Sequence, residues 1–131
     1  MILNTNGLKP IYIQIAELIE TEILNGHFSP DEKVYSQYQL AEMFTINPAT
    51  AAKGLTLLLD AQILYKKRGL GMFVTPTAPG IIKTKRKNEV LKRLVNEIIT
   101  ESEQLEITKE ELLEIITKEY QKRKESIDGH H

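Results

Sequence analysis

The chain has no cysteine among its 131 residues, which excludes disulfide frameworks, thiolate zinc sites and cysteine nucleophiles and suits a reducing compartment. Long apolar runs are missing too: none approaches the roughly 20 residues that a membrane span requires. Residues 1–6 lack the charged start and apolar centre of a secretory leader, so the expected location is the cytoplasm, with no membrane partner. Neither sign of charge dominates. Lysine and arginine number 17 against 18 acidic residues, a net charge of −1 that gives no global attraction to a polyanion. Catalytic signatures are also scarce: carboxylates are scattered along amphipathic stretches, no histidine pairs with a nucleophile motif, and no phosphate-cradling glycine loop follows a strand. The reading is a non-enzyme with no cofactor and no metal. Internal repeats and low-complexity segments are absent, and the terminal His130 and His131 resemble a purification-tag remnant that is left out of the functional reading.

What is present is the composition of a globular protein, 41% hydrophobic and 27% charged, long enough for one ordinary domain or for a domain of about 75 residues with an appendix. Charge is distributed unevenly. Between Ile46 and Thr75, Lys53, Lys66, Lys67 and Arg68 face only Asp60, and between Lys83 and Arg93 the bases outnumber the single acid, Glu89. Acids gather after Val95, at Glu97, Glu101, Glu103, Glu106, Glu110, Glu111, Glu114 and Glu119.

Apolar residues Ile11, Ile15, Leu18, Ile19 and Ile23 recur at helical spacing between Pro10 and Gly26, predicting a first helix. Ser36 with Gln39 forms a capping box for a second helix over Gln37 to Phe44. A third helix, running to about Ala61, opens with Asn47 as cap and Pro48 at its first position. Its phase points Ala51, Leu55 and Leu58 inward and leaves Ala49, Thr50, Lys53 and Thr56 toward solvent, although the run Leu57-Leu58-Leu59 blurs it. Ile63 to Lys67 and Gly71 to Thr75 read as two strands of a hairpin joined by Arg68-Gly69-Leu70. Pro76, Pro79 and Gly80 then interrupt the pattern and place a domain boundary near Thr77. Beyond it, Val90, Leu91, Leu94, Val95, Ile98 and Ile99 line one long helix, and Leu112, Leu113, Ile116 and Tyr120 line another that Thr108 and Glu111 open.

Three helices and a hairpin make a winged helix-turn-helix, so the expected fold is mainly α with a small β-hairpin, residues 1–76 forming that domain and 77–131 a helical arm. A third helix with small polar side chains at its capped N-terminus fits the major groove of duplex DNA. Helix N-termini add amide donors for phosphate, which would let a slightly acidic chain bind DNA.

Across its first half the sequence resembles the GntR family of bacterial regulators. The matching landmarks are Pro10-Ile11-Tyr12 with Gln14-Ile15, Gly26, Pro30, Ser36, Leu40-Ala41, Asn47-Pro48 with Thr50, Leu55, Leu58, and the wing Arg68-Gly69 with Gly71 and Phe73-Val74. Departures fall at Asp31, Tyr35, Tyr38 and Ala52; the last two stand where the family often has arginine, and the one lost at Tyr38 is an arginine that the family commonly sets against DNA. The stretch from Ile46 to Gly54 and the short C-terminal part are similar to the YtrA-like subgroup, in which C-terminal helices dimerise and no large effector domain follows. The resemblance implies a repressor that binds an inverted-repeat operator of double-stranded DNA as a homodimer. Its expected contact residues are Ser36, Tyr38, Asn47, Ala49, Thr50, Lys53, Lys67, Arg68 and Gly69.

The arm residues Val90, Leu91, Leu94, Val95, Ile98, Leu112, Leu113 and Ile116 are expected to pair two copies, because two helices cannot bury such stripes alone. For Lys83, Lys85, Arg86 and Lys87, a charged linker and a flank that touches DNA are equal readings. Tyr12, Phe44, Tyr65 and Phe73 are expected in the core, and no small-molecule effector is legible. The same fold also admits a different function, a winged-helix protein-interaction module that never meets DNA.

Overall fold

The computed structural model describes residues 3–4 and 7–128, with side chains to residue 126. His130 and His131, and Met1, Ile2, Thr5 and Asn6 of the leader reading, lie outside the described residues.

Pro10 sets the backbone that opens α1 (Ile11–Leu24), and Gly26, at φ 79°, lets the chain leave it while the His27 amide donates back to the Glu22 carbonyl at 2.8 Å. One face of α1 supplies Ile15, Ala16, Leu18, Ile19 and Ile23 to the core. Helix α2 (Gln37–Phe44) starts at the expected capping box: the Gln39 amide donates to Ser36 Oγ and the Ser36 amide to Gln39 Oε1. It ends at Thr45, whose φ of 53° is unusual for a β-branched residue and turns the chain sharply into α3 (Pro48–Asp60). Ala51, Leu55 and Leu58 are buried as the phase predicts, with Leu59 half-buried and Leu57 exposed.

Strands β1 (Leu64–Lys67) and β2 (Gly71–Val74) pair antiparallel in the register Leu64 to Val74 and Lys67 to Gly71. The loop between α1 and α2 adds a third edge that the sequence did not suggest. Lys33 bridges to Phe73, the Asp31 amide donates to the Val74 carbonyl at 2.7 Å, and the Val34 amide donates to Met72 at 2.9 Å. The hairpin is thereby tied to the helices.

The chain then departs from the reading of Pro76, Pro79 and Gly80 as a boundary. A fourth helix, α4 (Ala78–Arg86), follows at once and buries Ala78 and Ile82 completely, so residues through Arg86 form one compact unit and those from Lys87 a second. Pro79 is tolerated because a helix leaves its first amides without intrahelical partners. In the second unit, Val90 and Leu91 lie in a π turn (Lys87–Leu91) rather than in regular helix, and α5 (Lys92–Gln104) and α6 (Lys109–Asp128) follow. The Glu111 amide donates to Thr108 Oγ1, opening α6 as expected. Among the described residues no helix is long and apolar enough to cross a membrane, and no acidic, histidine or cysteine cluster could hold a metal ion.

Candidate nucleic-acid interface

The site begins with the cap of α3. Asn47 Oδ1 accepts from the Ala49 amide at 2.8 Å, and the Asn47 carbonyl accepts from the Thr50 and Ala51 amides. These first-turn donors are therefore occupied within the chain, which corrects the expectation that open amides of α3 would bind phosphate. Asn47, Ala49 and Lys53 are exposed, whereas Thr50 is half-buried rather than directed fully to solvent. At the start of α2 the Ser36 hydroxyl is engaged as a cap, and Tyr38 stands 69% exposed.

At the wing tip, Gly69 takes φ 78° and the Leu70 amide closes the turn onto the Lys67 carbonyl, leaving Lys66, Lys67, Arg68 and Gly69 exposed. Gly71 adopts φ 117°, and a β-carbon there would meet Lys33 Cε at 2.8 Å, because the Lys33 side chain lies across the strand. Tyr65 and Phe73 are not core residues as expected. They stack across the hairpin with centroids 5.7 Å apart, and the Lys67 ammonium sits 4.7 Å from the Phe73 ring centre. The Tyr65 hydroxyl donates to Asp31 Oδ1 at 2.8 Å, and this bond to a carboxylate raises the phenol above its ordinary pKa.

The bases separate into two kinds. Lys33, Lys53, Lys66, Lys67 and Arg68 have no carboxylate within ion-pair distance among the described residues. Lys85 and Arg86, by contrast, converge on Glu20, a carboxylate only 1% exposed, at 2.9 and 3.7 Å. Arg86 also donates to the Glu17 carbonyl and to Thr21 Oγ1. These two residues are neither linker nor free flank: they clamp α4 to α1, while Lys83 and Lys87 remain exposed. Lys33 is the basic residue that sequence reading missed, since its place beside the wing depends on a long-range strand bridge that no local pattern announces.

The model of the gntR family of bacterial regulatory proteins matches residues 11–74, the span from α1 through β2. A GntR family transcriptional regulator from Listeria monocytogenes is 31% identical, with a TM-score of 0.70 over 88% of this chain and 98% of that one. The chain belongs to the GntR family. It is a transcriptional regulator with a winged helix-turn-helix DNA-binding domain. The repressor NagR of Bacillus subtilis is 37% identical over 75 residues, 57% of this chain but only 31% of NagR's length. The AraR DNA-binding domain, solved in complex with operator ORX1, is 29% identical with a TM-score of 0.53, over 57% of this chain and 95% of that domain. In this GntR member the family's wing glycines and the α3 cap stand where the motif spacing placed them, and the departures Tyr38 and Ala52 fall on α2 and α3.

Proposed function

We propose that this GntR regulator is a cytoplasmic repressor that binds an inverted-repeat operator as a homodimer and occludes the promoter. Each protomer's α3 reads one half-site, and the contact surface comprises Ser36, Tyr38, Asn47, Ala49, Thr50, Lys53, Lys67, Arg68 and Gly69. The observation that carries the reading is the separation of the bases: among the described residues those on α3 and the wing tip lack carboxylate partners, whereas Lys85 and Arg86 are spent on Glu20. A cation without a carboxylate partner keeps its attraction for phosphate.

Pairing of two copies is supported by the second unit. Val90, Leu91, Leu94, Val95, Ile98, Leu113 and Ile116 are exposed in the single chain, and Leu112 is half-buried. Covering such side chains contributes about 1.5–3 kcal/mol each before the costs of association, enough for a homodimer even after most of it is lost. Two-fold protein symmetry then calls for two-fold operator symmetry.

Selection of duplexes from a random-sequence pool by the full-length protein tests the proposal. Enrichment of an inverted repeat, with half-site centres about one helical turn or a multiple apart, is the expected result. Enrichment of a single asymmetric site would overturn the dimeric reading, and no enrichment at all would overturn the operator reading.

A further inference from the structure

Tyr12 stands in the first turn of α1, half-buried rather than enclosed in the core. The Lys53 ammonium lies 4.1 Å from the centre of its ring. Gly54 makes the meeting possible by letting α1 and α3 touch: a β-carbon there would stand 2.8 Å from the Tyr12 carbonyl oxygen and 3.0 Å from Ile15 Cγ2. Among the described residues the Tyr12 hydroxyl has no hydrogen-bond partner and Lys53 no carboxylate, so neither group is drawn elsewhere.

A free lysine loses rotamer freedom when it grips a phosphate, and that loss weakens binding. A lysine already held over a ring has given up part of that freedom before DNA arrives. The ring attracts the cation through its quadrupole and leaves the charge intact, unlike a carboxylate, which would compete with phosphate for it. We infer that Tyr12 is a positioning residue for DNA binding, its ring presetting the Lys53 ammonium on the exposed face of α3. The inference rests on the proposed contact between Lys53 and DNA.

The test uses full-length protein and a duplex that the wild type has selected from a random pool, with melting curves to compare variants at matched folded fraction. Tyr12→Leu is expected to weaken binding roughly three- to fivefold, the effect of losing an exposed cation–π contact, while Tyr12→Phe keeps the ring and binds as wild type. Lys53→Ala weakens binding, and adding Tyr12→Leu to it weakens binding no further. If Tyr12→Leu binds as wild type while Lys53→Ala is weak, the positioning role is overturned and the Lys53 contact stands. If Tyr12→Leu costs as much in the Lys53→Ala background as alone, its effect belongs to the fold and the inference fails. If Lys53→Ala itself binds as wild type, the proposed contact falls and the inference with it.

Discussion

At the scale of single residues, the absence of carboxylate partners, among the described residues, around the exposed bases leads to a measurable separation. Lys53→Ala and Arg68→Ala should each weaken operator affinity and flatten the dependence of log affinity on log salt by about one unit per lost phosphate contact. Lys118, whose ammonium is 3.1 Å from Glu114 on α6, should tolerate alanine without change. Anisotropy titrations at several salt concentrations decide this, and wild-type slopes in both the Lys53 and Arg68 variants would contradict it. Thr50 is the cleaner probe of base readout, because Asn47→Ala also removes a helix cap worth about 1 kcal/mol. Thr50→Ala should change the ranking of operator variants; an unchanged ranking removes Thr50 from the specificity set. The two tyrosines with perturbed phenols report on the fold instead. Tyr65 is raised chiefly by its hydrogen bond to Asp31, and Tyr35 by burial and then by Glu22. A raised folded-state pKa means that the stabilisation is fully present below the unfolded value near 10 and is lost as pH rises through the folded value. Melting temperature should therefore fall more steeply above pH 10 in the wild type than in Tyr65→Phe, and parallel curves would show that the bond contributes nothing.

At the scale of elements, α4 is where local and long-range information part company. Its clamp on α1 pairs one buried carboxylate with two half-exposed bases, so the two sides of the pair are not equivalent. Removing both bases with Lys85→Ala and Arg86→Ala strands Glu20 in the core and should cost about 3–5 kcal/mol. Glu20→Gln lets the bases turn to water and should cost about 1 kcal/mol, within the range for a lost hydrogen bond. Urea unfolding measures both, and equal losses would contradict the asymmetry. The sequence could not reveal this pairing, since nothing local ties Glu20 to residues on another helix. Pro76, Pro79 and Gly80 point the other way, because local helix breakers carry no information about the burial of Ile82 behind them. Elsewhere local chemistry was sufficient. Asn47-Pro48 and the Ser36 to Gln39 box define helix starts through contacts two or three residues long, and those starts are legible in sequence for that reason. The third edge at Lys33, the π turn and the ring of Tyr12 beneath Lys53 were not legible, because each depends on how distant backbones meet. For the candidate site, the landmarks of α3 and the wing were readable, whereas the internal occupation of the α3 amides was not.

At the scale of the whole molecule, the position of α4 determines where the protein can be divided. Removing residues 87–131 should leave a folded, largely monomeric DNA-binding unit whose affinity for a paired operator has fallen sharply, since linking two half-site readers supplies effective concentration. Removing residues 81–131 also takes away Ile82 and the Glu20 clamp, and should lower the melting temperature as well. Sedimentation checks both: a full-length chain that is monomeric at micromolar concentration, or a truncated one that stays dimeric, would show that the second unit does not join the copies. The bases on α3 and the wing, which have no carboxylate partner among the described residues, have a last consequence, in the time course of binding. Among the described residues no internal ion pair has to open before Lys53, Lys67 or Arg68 meets a phosphate, so this face presents no ion-pair opening step of its own. Encounter can then be governed by diffusion and steering, with an observed rate that climbs in proportion to DNA concentration instead of levelling off.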